Sequence, residues 1–163
     1  MSEIPTDVAA FYFMASTYTN QAAILGEIQY SDLIALTDDA PSTGDINQTV
    51  LNQVIQNASG YIDRKLANIY GQQLPFVPVP LSVANMAVTI VCYRLYRRRE
   101  VPDEKNKFYE EFKDISDFLN KVNKGEMHID DVPARDFPQG ALQSQPTIYG
   151  NQVFAGGRMV NSM

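Results

Sequence analysis

The side chains that could carry chemistry in this chain are few. His128 is its single histidine and Cys92 its single cysteine. A nucleophile–His–acid triad, or a zinc site built on imidazole, therefore has one ring to draw on. His128 stands at the entrance to a proline-containing tail, away from any apolar run. Asp38 and Asp39 are adjacent acids, but a hard cation such as calcium takes roughly six to eight oxygen ligands. No EF-hand spacing follows them, and Pro41-Ser42-Thr43-Gly44 beside them is turn chemistry, so a solvated turn is the simpler reading. Glu110, Glu111 and Asp114 fit the wet face of an amphipathic helix. No phosphate-cradling glycine-rich loop of either common spacing occurs. The densest charge is basic: Arg94, Arg97, Arg98 and Arg99. Cations sit well beside the negative end of a helix dipole. The same cluster offers a contact for an acidic partner or for DNA phosphate. These residues assemble no catalytic set, so we expect no enzyme activity, metal or cofactor.

Composition points the same way. The chain has 163 residues, of which 45% are hydrophobic, enough for one domain with a real core and appended arms. A net charge of −6 argues against a general nucleic-acid binder. One cysteine allows no intramolecular disulfide, and the apolar surroundings of Cys92 suggest a small buried hydrophobe. Val8 to Met14 is apolar but far short of the roughly 20 residues that span a bilayer. Glu3 and Asp7 precede it, where a signal peptide would carry basic residues. We expect a chain made in the cytoplasm, with no membrane partner.

The elements that position these residues read as mainly α: three main helices plus short N-terminal helices, with extended arms at both ends. Thr19 is placed to cap a helix over 20–25 that ends at Gly26, and Ser31 a second one through Leu36. Leu33 and Leu36 should face the core. Asp45, with Gln48 three residues on, resembles a capping box for a helix over 46–70. Leu51, Val54, Ile55, Ala58, Ile62, Leu66 and Ile69 form its apolar stripe. Gly60 lies inside it, at a cost of about 1 kcal/mol relative to Ala that a close helix approach would offset. Gly71 should stop the helix in the left-handed conformation. Pro75, Pro78 and Pro80 then force an extended elbow. Val83, Met86, Ala87, Ile90, Val91, Arg94 and Leu95 cover more than one face of a helix over 81–100, as a core helix requires. Pro102 with Asp103 and Glu104 restarts the chain. Phe108, Phe112, Ile115, Leu119 and Val122 then mark an amphipathic helix that Gly125 ends. Phe108, Phe112 and Phe118 read as core rather than as a ligand pocket.

Several of these residues carry a family resemblance. Ile62-Asp63, Leu66-Ala67 and Tyr70, then Leu74-Pro75, Val79-Pro80 and Tyr93-Arg94-Leu95-Tyr96, stand in an order similar to that of the Mu-type phage head–tail connector family. Leu33-Ile34-Ala35-Leu36-Thr37-Asp38 resembles that family's Leu-Thr-Asp element. The likeness runs from about Thr17 to Ile129. It departs at Ile69, where the family commonly has Arg, so any salt bridge made there is absent. The resemblance implies a dodecameric ring stacked beneath the portal in the neck of the virion. That ring would bridge portal and tail proteins and leave a channel through which DNA passes.

On this reading residues 1–17 are an N-terminal arm, 18–128 the helical connector domain, and 129–163 an extended C-terminal arm. In the C-terminal segment charges thin out and Pro133, Pro138 and Pro146 recur, leaving too little apolar content to fold alone. Ile148, Tyr149, Val153 and Phe154 are its apolar anchors, and extended segments so spaced can add to a partner's groove or sheet. With Phe11 and Phe13 they form the expected interface to the portal or a neighbouring subunit. The alternative is a small helical DNA-binding or packaging regulator that uses Arg94, Arg97, Arg98 and Arg99.

Overall fold

The computed structural model describes residues 17–39 and 44–132. All but the last of these belong to one unit that closes at Asp131. Five α-helices follow in order: α1 (Gln21–Ile24), α2 (Tyr30–Thr37), α3 (Gln48–Tyr70), α4 (Leu81–Arg98) and α5 (Tyr109–Asn123). A single 3-10 turn, Asp103–Lys105, precedes α5, and no strand occurs among the described residues. The expected mainly α fold, with three main helices after two short ones, is the fold observed.

Helices α3, α4 and α5 pack on one another, while α1 and α2 lie against α4. The stripe on α3 does what its spacing dictates. Leu51, Ala58, Ile62 and Leu66 are completely buried and Ile55 nearly so, whereas Val54 and Ile69 on its margins are half-buried. Helix α4 buries Val83, Met86, Ala87, Ile90, Val91, Cys92, Tyr93 and Leu95, more than one face, as a central helix must. Leu119 and Val122 close the core from α5, with Phe108 just before its start. Phe112 is half-buried and stacks flat on Tyr93, with centroids 4.0 Å apart and planes 7° from parallel. Leu33 and Leu36 are buried as expected. Burying one such aliphatic side chain contributes about 1.5–3 kcal/mol.

The helix ends differ from the sequence reading in instructive ways. Asn20 rather than Thr19 caps α1, accepting from the Ala23 amide at 3.1 Å. No side chain caps α2; Gln29 holds its cap position, and Ser31 lies inside the helix. Asn47 caps α3, accepting from Val50 N at 3.2 Å. Asp45 instead turns back to accept from Ile46 N at 2.7 Å and from the Tyr30 hydroxyl at 2.8 Å. Its first helical turn therefore begins two residues later than position 46. Gly71 ends α3 without a left-handed residue, at φ −51°. Glycine is needed there for space: a Cβ would lie 2.5 Å from the Ala67 carbonyl oxygen. Gly60 makes no close helix approach, because open solvent surrounds the place where its Cβ would stand.

Between α4 and α5 the chain does not restart directly into helix. Buried Asn106 donates to the Tyr93 carbonyl at 3.1 Å and accepts from Phe108 N at 3.1 Å. One amide side chain thus fastens the last turns of α4 to the backbone at the start of α5.

Candidate functional site

The elbow between α3 and α4 is the feature that sets this surface apart. Its inner side is an aromatic and polar anchor. Phe76 is 4% exposed and lies between two tyrosines, 6.1 Å from Tyr18 and 6.0 Å from Tyr70 by ring centroids. The Phe76 amide donates to the Tyr18 hydroxyl at 3.3 Å, and that hydroxyl donates in turn to the Asp63 carboxylate. The Tyr18 amide is held as well, donating at 3.0 Å to Ser59 Oγ, which donates to the Ile55 carbonyl at 3.1 Å. Burial first, and then the Asp63 carboxylate, push the Tyr18 phenol well above its ordinary range. Burial likewise raises Asp63, against the opposing pull of the Tyr18 hydroxyl.

The outer side of the elbow is bare. Val77 and Leu81 are 82% and 71% exposed, and Val79 is exposed between them. Phe76 turns inward while its neighbour Val77 turns outward. Pro75, Pro78 and Pro80 lack an amide hydrogen, so the segment presents apolar side chains with few backbone donors.

Both ends of the described domain are tied beside this elbow. Tyr18 is the second described residue and sits on Phe76. At the other end, Ile129 is buried, and its amide donates to the Tyr70 hydroxyl at 3.2 Å. Asp131 accepts from Ser82 N at 2.9 Å and from the Ser82 hydroxyl. Pro80 holds the cap position of α4 without a side-chain bond, so Asp131 supplies from 49 residues away the acceptor that Pro80 cannot. Those bonds hold the Asp131 carboxyl below the usual aspartate range.

The basic cluster is divided rather than pooled. Arg94 is half-buried with its guanidinium 5.2 Å from the Tyr61 ring centroid, and burial lowers its pKa. Arg98 pairs with Asp39 and donates to the Leu36 carbonyl at 3.3 Å. Arg99 donates to the Asp38 carbonyl and lies 3.8 Å from the Asp39 carboxylate. Asp38-Asp39 is thus an ion-paired junction between α2 and the end of α4, not a merely solvated turn. The Arg98 guanidinium beside it pulls Asp39 below the ordinary carboxylate range. Arg97 is exposed and lies close enough to Tyr93 for its charge to act on that phenol.

Other chemistry-bearing residues fall apart in space. Cys92 is buried and its thiol is pushed up to about 12 by burial. Glu110, Glu111 and Asp114 are exposed on α5. No group of three or more ligand-type side chains able to hold a metal occurs among the described residues. A cleft of about 270 Å³ is lined by Thr17, Thr19, Asn20, Asn52, Ile55 and Gln56, none of them charged. Its buried Thr19 hydroxyl has no hydrogen-bond partner among the described residues. No described helix is long and apolar enough to cross a membrane. Phe11, Phe13, Ile148, Tyr149, Val153 and Phe154 lie outside the described residues.

Residues 18–143 match the family model described as Bacteriophage Mu, Gp36. The chain belongs to that family. The match begins at Tyr18, the residue that locks the elbow, and takes in all five helices. Membership makes this a phage protein and supports a structural or morphogenetic role. A comparison with curated proteins finds no match. Ile69, where the resemblance leads one to expect Arg, packs its Cδ1 3.9 Å from the position a Cβ on Gly125 would take.

Tyr18, Ser82, Asn106 and Asp131 are the anchoring residues that sequence reasoning missed. Each acts on a partner far along the chain or against irregular backbone. Only Asp131, the second of two adjacent acids at the edge of the tail, carried any local signal.

Proposed function

We propose that this chain is a head-to-tail connector subunit whose copies close into a ring between the portal and the tail of a Mu-type phage. The observation that carries the reading is the bare apolar elbow, Val77 and Leu81. Exposed aliphatic side chains on a rigidly anchored segment suit contact with other subunits. Ring closure needs heterologous contacts, one surface of each copy meeting a different surface of the next. Repetition around the ring builds avidity from weak contacts. The segments that carry Phe11, Phe13, Ile148, Tyr149, Val153 and Phe154 would supply further contacts to neighbour or portal. The family resemblance implies a dodecamer in the neck of the virion. An acidic balance of −6 suits a channel from which phosphate is repelled. The subunit works by binding, without catalysis or cofactor.

The geometry gives less support to a DNA-binding regulator. Arg98 and Arg99 are engaged with Asp38 and Asp39, and Arg94 leans on Tyr61, which leaves Arg97 as the cluster's outward cation. Electron microscopy of the purified protein, alone and mixed with the portal, tests the connector reading. Closed rings, coaxial with the portal in the mixture, are the expected result. A monodisperse monomer that leaves the portal bare would refute it.

A further inference from the structure

We propose that the elbow Pro75–Leu81 is the receptor for residues 148–154 of a neighbouring copy, with Ile148, Tyr149, Val153 and Phe154 seated against Val77, Val79 and Leu81. The proposal rests on the connector reading and says which two surfaces meet.

Two observations carry it. The described residues leave the elbow uncovered, with Val77 82% and Leu81 71% exposed. It holds no charged residue from 71 to 81, and neither does 148–154, so their contact buries no unpaired charge. Prolines at 78 and 80 remove amide donors, so side chains rather than an added strand must make the contact, and tyrosine and phenylalanine supply large apolar area for that.

Reach decides between the two ends of the chain. Both ends of the described domain are tied beside the elbow, through Tyr18 on Phe76 and Asp131 on Ser82. A copy's root is therefore about one subunit width from its neighbour's elbow, ~35 Å for a domain of this size. From Tyr18 back to Phe11 the chain extends at most about 23–25 Å, whereas from Asp131 to Ile148 it extends about 56–61 Å. The N-terminal segment falls short, and the C-terminal one spans the gap with slack.

Cross-linking in the full-length protein tests this. One chain carries Val77→Cys and a second, differently tagged chain carries Asn151→Cys, a position between the anchors that removes none of them. Cys92 is buried, so the described domain offers no exposed native thiol. A short bismaleimide should join the two tags. The double variant Val77→Asp/Leu81→Asp should weaken subunit association at least tenfold with its melting temperature unchanged. A product confined to one chain when both cysteines share it, or joining of Val77→Cys to Phe11→Cys instead, overturns the proposal. Intact rings without the cross-link overturn it while leaving the connector reading in place. Absence of rings, alone or with the portal, defeats both.

Discussion

Replacing Glu100 by glycine should stabilise this protein, and the structure supplies the magnitude. Helices α4 and α5 end in the same way. After α4, Glu100 N donates to the Arg97 carbonyl at 2.9 Å and Val101 N to the Tyr96 carbonyl at 3.4 Å. After α5, Gly125 N donates to the Val122 carbonyl and Glu126 N to the Lys121 carbonyl, both at 2.9 Å. These are the paired bonds of a Schellman ending, which needs a left-handed residue at its centre. That residue is Gly125 at φ 78° in one case and Glu100 at φ 57° in the other. A left-handed non-glycine residue costs about 1–2 kcal/mol. Glycine's greater freedom in the unfolded chain returns about 0.4–1 kcal/mol of that. An acid at a helix C-terminus opposes the dipole, by roughly 0.3–1 kcal/mol at low ionic strength. Glu100→Gly should therefore stabilise by about 1 kcal/mol, or about 2–4 °C in melting temperature for a chain of this length. Thermal unfolding at low and moderate salt measures it. Glu100→Gln removes the charge and keeps the conformation, so it isolates the salt-dependent share. Gly125→Ala is the mirror test: an added Cβ meets only Ile69 Cδ1 at 3.9 Å, so its loss, about 1 kcal/mol, reads the backbone cost without a clash. A Glu100→Gly protein that melts at or below wild type, while Gly125→Ala is destabilised, would refute the reasoning.

Gly60→Ala should raise stability by about 1 kcal/mol, since the site is an open helical surface; urea unfolding checks it, and a loss would show that something packs there. Asp63→Asn keeps an acceptor for the Tyr18 hydroxyl and removes the buried charge, so at pH 7 it should be at least as stable as wild type. The folded pKa of Asp63 is raised, so its stabilising share is full below the unfolded value and disappears as the pH rises through the folded one. The variant's advantage should accordingly shrink as the pH is lowered through the acid range in matched denaturation curves. Asp131 has the opposite sign: its folded pKa is lowered, so its contribution is present above the unfolded value and is lost as the pH falls through the folded one. The Ser82 amide resonance should titrate with a midpoint below the ordinary aspartate value of 3.8, and Asp131→Ala should abolish that titration.

Periodicity made the three long helices legible, because burial on one face of α3 or α5 requires apolar residues at fixed intervals. Gly125 was legible for a related reason, since a left-handed ending leaves a glycine behind. The caps were read a residue or two out of place. Asp45 and Asn47 are both good caps, and the choice was made by Tyr30, which takes the Asp45 carboxylate at 2.8 Å. Gly71 showed where α3 ends but not why, because crowding against the Ala67 carbonyl is invisible in a sequence. The arginine cluster looked uniform, yet Arg98 and Arg99 were claimed by Asp38 and Asp39, about sixty residues earlier in the chain. The elbow was visible as prolines, but its two-sidedness was not. That depends on Phe76 being held by Tyr18 and Tyr70, partners 58 and 6 positions away.

The borrowed cap on α4 has a mechanical meaning. Tension on the chain beyond Asp131 arrives first at the Ser82 backbone and only then at the Ile129–Tyr70 bond. It is thus delivered to the opening turn of the helix that buries side chains on more than one face. A load applied there reaches the core helix before the last described residues can peel away.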